Sequence, residues 1–147
     1  MTKYVAVSDA FSDQFIGGAE FTTDAILSPR LDQVTKINSK DLTEDFILDN
    51  KDKTWLIFNF HELTDKNKIS LTKNVNYSII EYDYKLCEYR SPDIHLYLKK
   101  VNCDCVEEGY QGKIKKVFYG HAKKIWFMSE KQKKYFLNSI HLIKEEN

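Results

Sequence analysis

Strand-sized apolar runs alternate with helical-period segments about five times along this chain, and that order limits the folds open to it more than any other feature. Tyr4 to Ser8 is a short β-rich run, after which Ala19, Thr22, Thr23, Ile26 and Leu27 share one face at helical spacing. Pro29 stops that helix. Gln33 to Asn38 alternates with period two as a second strand, and Leu42 and Phe46 suggest a short helix. Thr54 to Phe60 is nearly continuous in apolar residues, as a strand covered on both faces should be. Thr64 to Asn76 holds one or two helical turns, Tyr77 to Tyr82 is a fourth strand, and Lys85 to Gly112 is irregular. Ile114, Val117 and Phe118 then mark a helix face, and Lys124 to Met128 is a fifth strand. Ser129 with Gln132 forms a capping-box pair, and Gln132, Tyr135, Phe136, Ser139, Ile140 and Ile143 line one side of a last helix. Such an order without internal repeats predicts a single α/β domain over residues 1–147. The expected architecture is a Rossmann-like, doubly wound, mostly parallel sheet of five or more strands with helices on both faces.

Composition narrows the function classes. Lysine plus arginine equal aspartate plus glutamate at 22 each, so no chain-wide basic field exists and nucleic acid is not an expected partner. The apolar runs are far shorter than a membrane span, and Met1-Thr2-Lys3-Tyr4 leads into a strand without a signal-peptide layout. A cytoplasmic setting is therefore expected.

Ligands of doubly wound sheets bind beyond the carboxyl ends of the strands. Those ends carry Ser8-Asp9, His61-Glu62, Asp83 and Ser129-Glu130, joined by a loop containing Gly17 and Gly18. The two glycines let backbone approach a ligand closely, and the amides of the following helix start favour an anion. His61 could orient a hydroxyl or cap its strand. Glu20 suits the helix dipole whatever else it does, and Glu62 with Asp83 offers two carboxylates. Arg90 could meet a phosphate or sugar hydroxyl, or form a surface salt bridge.

In this order the pattern resembles the N-terminal half of retaining glycosyltransferases of the GT-B fold (family 4-like), which include sucrose synthase-like and mannosyltransferase-like enzymes. Gly17-Gly18-Ala19-Glu20 is similar to the family's Gly-Gly-Ala-Glu loop after the first strand, near the donor phosphates and the acceptor. Phe58-Asn59-Phe60-His61 resembles the strand that delivers a polar residue, often histidine, to the interdomain cleft. Tyr77 to Asp83 resembles the next strand, with Tyr82-Asp83 where the family commonly has His-Asp. Ala122 to Glu130 resembles the alanine-led strand that ends in serine, here Ser129.

The resemblance implies the acceptor-side domain of an enzyme that transfers a sugar from a sugar nucleotide to a glycan or lipid-linked acceptor. Gly17, Gly18, Ala19, Glu20, Glu62, Asp83, Arg90 and Ser129 would bind substrate, with His61 the candidate catalytic group and no cofactor required for the chemistry. The family's second domain, which binds the nucleotide, does not follow before Asn147. The expectation is that this chain is inactive alone and needs a C-terminal domain, joined or separate. The alternative is a non-catalytic Rossmann-like module that binds a nucleotide, a glycan or a protein.

Cys87, His95, Cys103 and Cys105 form a separate constellation within nineteen residues. Three thiols and an imidazole are a common set for structural zinc, although Cys-x7-His-x7-Cys-x-Cys is not a standard module. A disulfide from Cys87 to Cys103 or Cys105, and simple buried thiols, remain open beside it. Lys113, Lys115, Lys116, Lys123, Lys124, Lys131, Lys133 and Lys134 make the last third locally basic. A solvated face is the default reading, and peripheral contact with an anionic membrane surface is the other.

Overall fold

Val5 and Val7 point to one side of the first strand and Ala6 to the other, and all three are fully buried. A strand covered on both faces must lie inside a sheet that carries helices on both sides. In the computed structural model, which describes residues 1–106 and 109–140, this is what forms. The strands are β1 (Tyr4–Ser8), β2 (Val34–Asn38), β3 (Thr54–Ile57), β4 (Asn76–Glu81) and β5 (Ile125–Phe127). They pair in the order β2-β1-β3-β4-β5, and every pair is parallel. Register sets Val7 beside both Ile37 and Ile57, and Ile79 beside Ile57 and Ile125. The expected Rossmann-like α/β architecture is therefore present.

The helices are α1 (Gly18–Leu27), α2 (Glu44–Asp49), α3 (Asp65–Asn74), α4 (Pro92–Lys99), α5 (Gly109–His121) and α6 (Glu130–Ile140). Val5, Val7, Trp55, Ile57, Tyr77 and Ile79 face the larger core, where Ile47 of α2, Leu71 of α3, Phe118 of α5 and Phe136 of α6 pack. The opposite face gathers Ala6, Phe58 and Ile80 against Leu27 of α1 and Phe11 of the loop before it. Burial of each such side chain supplies about 1.5–3 kcal/mol, so the central strands anchor everything around them. No helix among the described residues is long and apolar enough to cross a membrane.

The strands fall where the sequence predicts, with trimmed ends. β3 stops at Ile57, yet the ladder direction persists, because Phe58 N–H bonds Val7 O at 2.9 Å and Asp9 N–H bonds Asn59 O at 2.8 Å. Helix faces differ more. α1 buries Glu20, Thr23 and Leu27, while Thr22 and Ile26 are exposed. The hydroxyl of Thr23 meets that of Tyr82 at 2.8 Å, which turns this polar side of α1 inward. In α5 Val117 is exposed and Tyr119 is buried in its stead. α3 is a full ten-residue helix, started by Thr64, whose hydroxyl accepts Asn67 N–H at 3.2 Å. The segment read as irregular contains α4, with Ser91 as N-cap and Pro92 in its first turn. On α6, Gln132, Phe136 and Ile140 are buried as expected, while Ile143 lies outside the described residues.

Candidate functional site

The loop after β1 brings the first group of residues to the carboxyl edge. Gly17 is the N-cap of α1 in extended conformation, and no side chain caps the helix. The amides of its first turn are thus without intrahelical acceptors. A Cβ on Gly17 would lie 2.5 Å from Glu20 Oε2 and 3.1 Å from the Phe15 ring. On Gly18 it would meet nothing within 4 Å. At 17 the close atoms are side-chain ends, the Glu20 carboxylate and the exposed Phe15 ring, whereas 18 faces open space beside the uncapped amides and next to Ala19. Glu20 is buried at the base of the turn.

Asp9 ties this loop to the end of β3. Its carboxylate accepts His61 N–H at 2.8 Å and Glu62 N–H at 3.1 Å. The strand order reverses between β1 and β3, so this clamp sits where ligands of such sheets enter. His61 and Glu62 are both exposed, with their backbones held and their side chains open to solvent.

Beyond β4 lies a charged cluster. Glu81 is fully buried, with Lys85 Nζ at 2.6 Å from Oε1 and the Tyr119 hydroxyl donating to Oε2. Burial outweighs these partners and raises the Glu81 pKa to about 7. Burial also opposes the Asp83 charge, but Lys85 and Arg90 overcome it and hold that carboxyl below its usual range. Arg90 Nε donates to Asp83 Oδ2 at 2.6 Å, and Lys85 Nζ lies 3.2 Å from Oδ1. The salt bridge considered for Arg90 is thus formed, with Arg90 itself at a positive φ of 53°. Such a conformation costs a non-glycine residue free energy, and the Asp83 pairing helps to hold it. Ser129 caps α6 by accepting Gln132 N–H at 3.1 Å. Gln132 accepts Met128 N–H at 2.6 Å and donates to Glu81 O and Asp83 O at 3.2 and 2.7 Å, tying α6 to the β4 end.

The second group is the one formed by Cys87, His95, Cys103 and Cys105. Their ligand atoms all lie within 4.8 Å of one another. His95 Nδ1 stands 3.8 Å from Cys87 Sγ and 3.5 Å from Cys105 Sγ, close to the roughly 3.6 Å edge of a tetrahedral sulfur–nitrogen zinc site. The three cysteines are free thiols. Burial raises the Cys87 thiol and pushes Cys105 up to about 12. Groups with second contacts surround the four. Glu88 N–H donates to Cys105 Sγ at 3.4 Å, and the Tyr135 hydroxyl lies 3.1 Å from Cys103 Sγ. Burial, with the Cys103 contact behind it, keeps Tyr135 protonated, so its O–H can donate to Cys103 once that sulfur is a thiolate. His95 Nε2 is buried without a hydrogen-bond partner, and the nearest carboxylate, Asp104, is 3.7 Å away. A metal on Nδ1 fixes the proton on Nε2, facing Asp104, which is the usual support of a ligating histidine. This Cys3His group can hold a structural metal.

Sequence reasoning missed Lys85 and Tyr135. Lys85 stands four residues after Glu81, a spacing that could have flagged the pair, whereas nothing local to Tyr135 signals its meeting with Cys103. No protein family, no curated protein and no solved structure was found to match this chain.

Proposed function

We propose that the chain is the acceptor-side domain of a glycosyltransferase that uses a sugar nucleotide and a glycan or lipid-linked acceptor. The observation that supports it most is Gly18. The fold makes no demand for glycine there, while the space in front of it, flanked by the uncapped first turn of α1, suits close approach of a substrate to backbone. His61 stands across the strand-order reversal from this turn and would orient a substrate hydroxyl. Asp83 is committed to Lys85 and Arg90 and serves to position them rather than to move protons. Donor binding would come from a second domain, joined or separate. Replacing Gly18 by leucine fills the space without straining the fold, so transfer should fall at least tenfold while the melting temperature holds. Unchanged transfer would remove the support.

We infer also that the Cys3His group holds zinc as a structural ion, since thiolate-rich tetrahedral sets favour it and a closed set of four ligands leaves no position for substrate. Metal analysis of protein purified without chelator tests this. One zinc per chain is expected, and its absence together with three titratable free thiols would contradict it.

A further inference from the structure

A cavity of about 170 Å³ opens at the carboxyl ends of β3 and β4, bordered by Phe60, Lys68, Lys85, Glu88, Arg90 and Lys115. Pockets that enclose whole drug-sized ligands run from roughly 300 Å³, so this one admits a single polar end of a ligand. Four cationic side chains face it against one carboxylate. They arrive from three separate parts of the fold: Lys68 from α3, Lys85 and Arg90 from the segment after β4, and Lys115 from α5, with Lys85 set over the Phe60 ring at 5.1 Å. Convergence from separate elements is not what a solvated lysine face produces.

The charges are only partly spent. Lys115 Nζ donates to Leu86 O at 3.4 Å and has no carboxylate partner among the described residues. An ammonium has three donors. Lys68 has Asp65 at 3.4 Å, and its side chain is 12% exposed. Arg90 directs Nε and Nη2 to Asp83, which leaves donors of its five free. Lys85 is fixed by Glu81 and Asp83 and is 5% exposed at its side chain, a buried cation held in place before any ligand arrives.

We propose that this pocket binds a phosphate group, borne by a soluble ligand or by a lipid. Four convergent cations around a small, partly open volume match a compact multivalent anion, with Arg90 supplying planar paired donors and the lysines point charges. The inference does not depend on glycosyl transfer: the pocket selects phosphate whether or not a sugar moves.

Calorimetric titration of the zinc-loaded protein with inorganic phosphate, at constant ionic strength set by chloride, tests it. Saturable binding with a dissociation constant of about 1 mM or tighter is expected, weakened at least tenfold in Lys115→Gln and in Lys68→Gln. Lys131→Gln, at an exposed site paired with Asp93 and outside the pocket lining, should bind as the wild type does. Lys115 and Lys68 lie on helix surfaces, and circular dichroism confirms that the variants fold. Absence of saturable binding, or equal affinity in Lys115→Gln and wild type, would overturn the proposal. Displacement of phosphate by phosphatidic acid in phosphatidylcholine vesicles would support it with a lipid source, and displacement by glucose 1-phosphate alone would support it with a soluble one.

Discussion

The carboxylate of Asp9 accepts the amide of His61 at 2.8 Å, and it takes the amide of Glu62 with its other oxygen. One side chain thus fixes the backbone of the β3 exit from the β1 exit, at the point where the strand order reverses. The bonds are charge-assisted but lie at an exposed position, which lowers what they contribute.

Asp9→Ala should therefore cost about 1–2 kcal/mol of stability by urea unfolding. The amides of His61 and Glu62 should exchange with deuterium faster, while those of β4 stay protected. An unchanged exchange rate at both amides would show that the clamp does not hold the loop.

Glu81 makes stability depend on pH. Its pKa is about 7 in the folded chain against 4.5 for an ordinary glutamate, so the folded state holds the proton more tightly. The associated stability is fully present below about pH 4.5 and is lost as pH rises through 7, about 3 kcal/mol in all. Asp83 works in the opposite direction, losing its contribution only as pH falls below the usual aspartate range, outside that window. Urea unfolding at pH 5 and pH 8 should show the wild type losing about 2–3 kcal/mol relative to Glu81→Gln, the remainder of the effect lying below pH 5. An equal difference between the two proteins at both values would contradict the burial argument.

The sequence made the sheet legible because five apolar runs of strand length stand between turn-forming residues, and β1 begins and ends where its pattern does. It concealed α4. The apolar residues of that helix, Ile94, Leu96, Tyr97 and Leu98, are all exposed, so no core-facing stripe marks it, although Ser91-Pro92 is a readable helix start. The length of α3 is masked in the sequence for a related reason: two of its three buried residues, Asn67 and Ser70, are polar. The Cys3His set was visible as residue types, but its meeting depends on α4 returning His95 to Cys87, and its Tyr135 neighbour comes from distant α6. Long-range placement of that kind leaves no local trace. The cationic pocket was hidden likewise, since Lys68 and Lys115 look like any surface lysines until α3 and α5 pack side by side.

Metal removal should loosen the segment that carries Cys87, Glu88 and Arg90. Chelation, or Cys87→Ser, is expected to lower the melting temperature by about 10 °C, consistent with a few kcal/mol in a domain of this size. Cobalt in place of zinc should give the intense visible bands of a tetrahedral thiolate site, and Tyr135→Phe should shift them by removing the O–H donor to Cys103. Identical melting of metal-loaded and chelated protein would count against a structural ion.

The most direct test of the functional account is turnover of a panel of uridine, guanosine and adenosine diphosphate sugars by the protein purified from its source cells, with any partner that accompanies it. Saturable release of nucleoside diphosphate with transfer of the sugar to an acceptor, lost in Gly18→Leu, is the predicted result. Absence of turnover and of binding across the whole panel would contradict it and leave the chain a binding module of another kind.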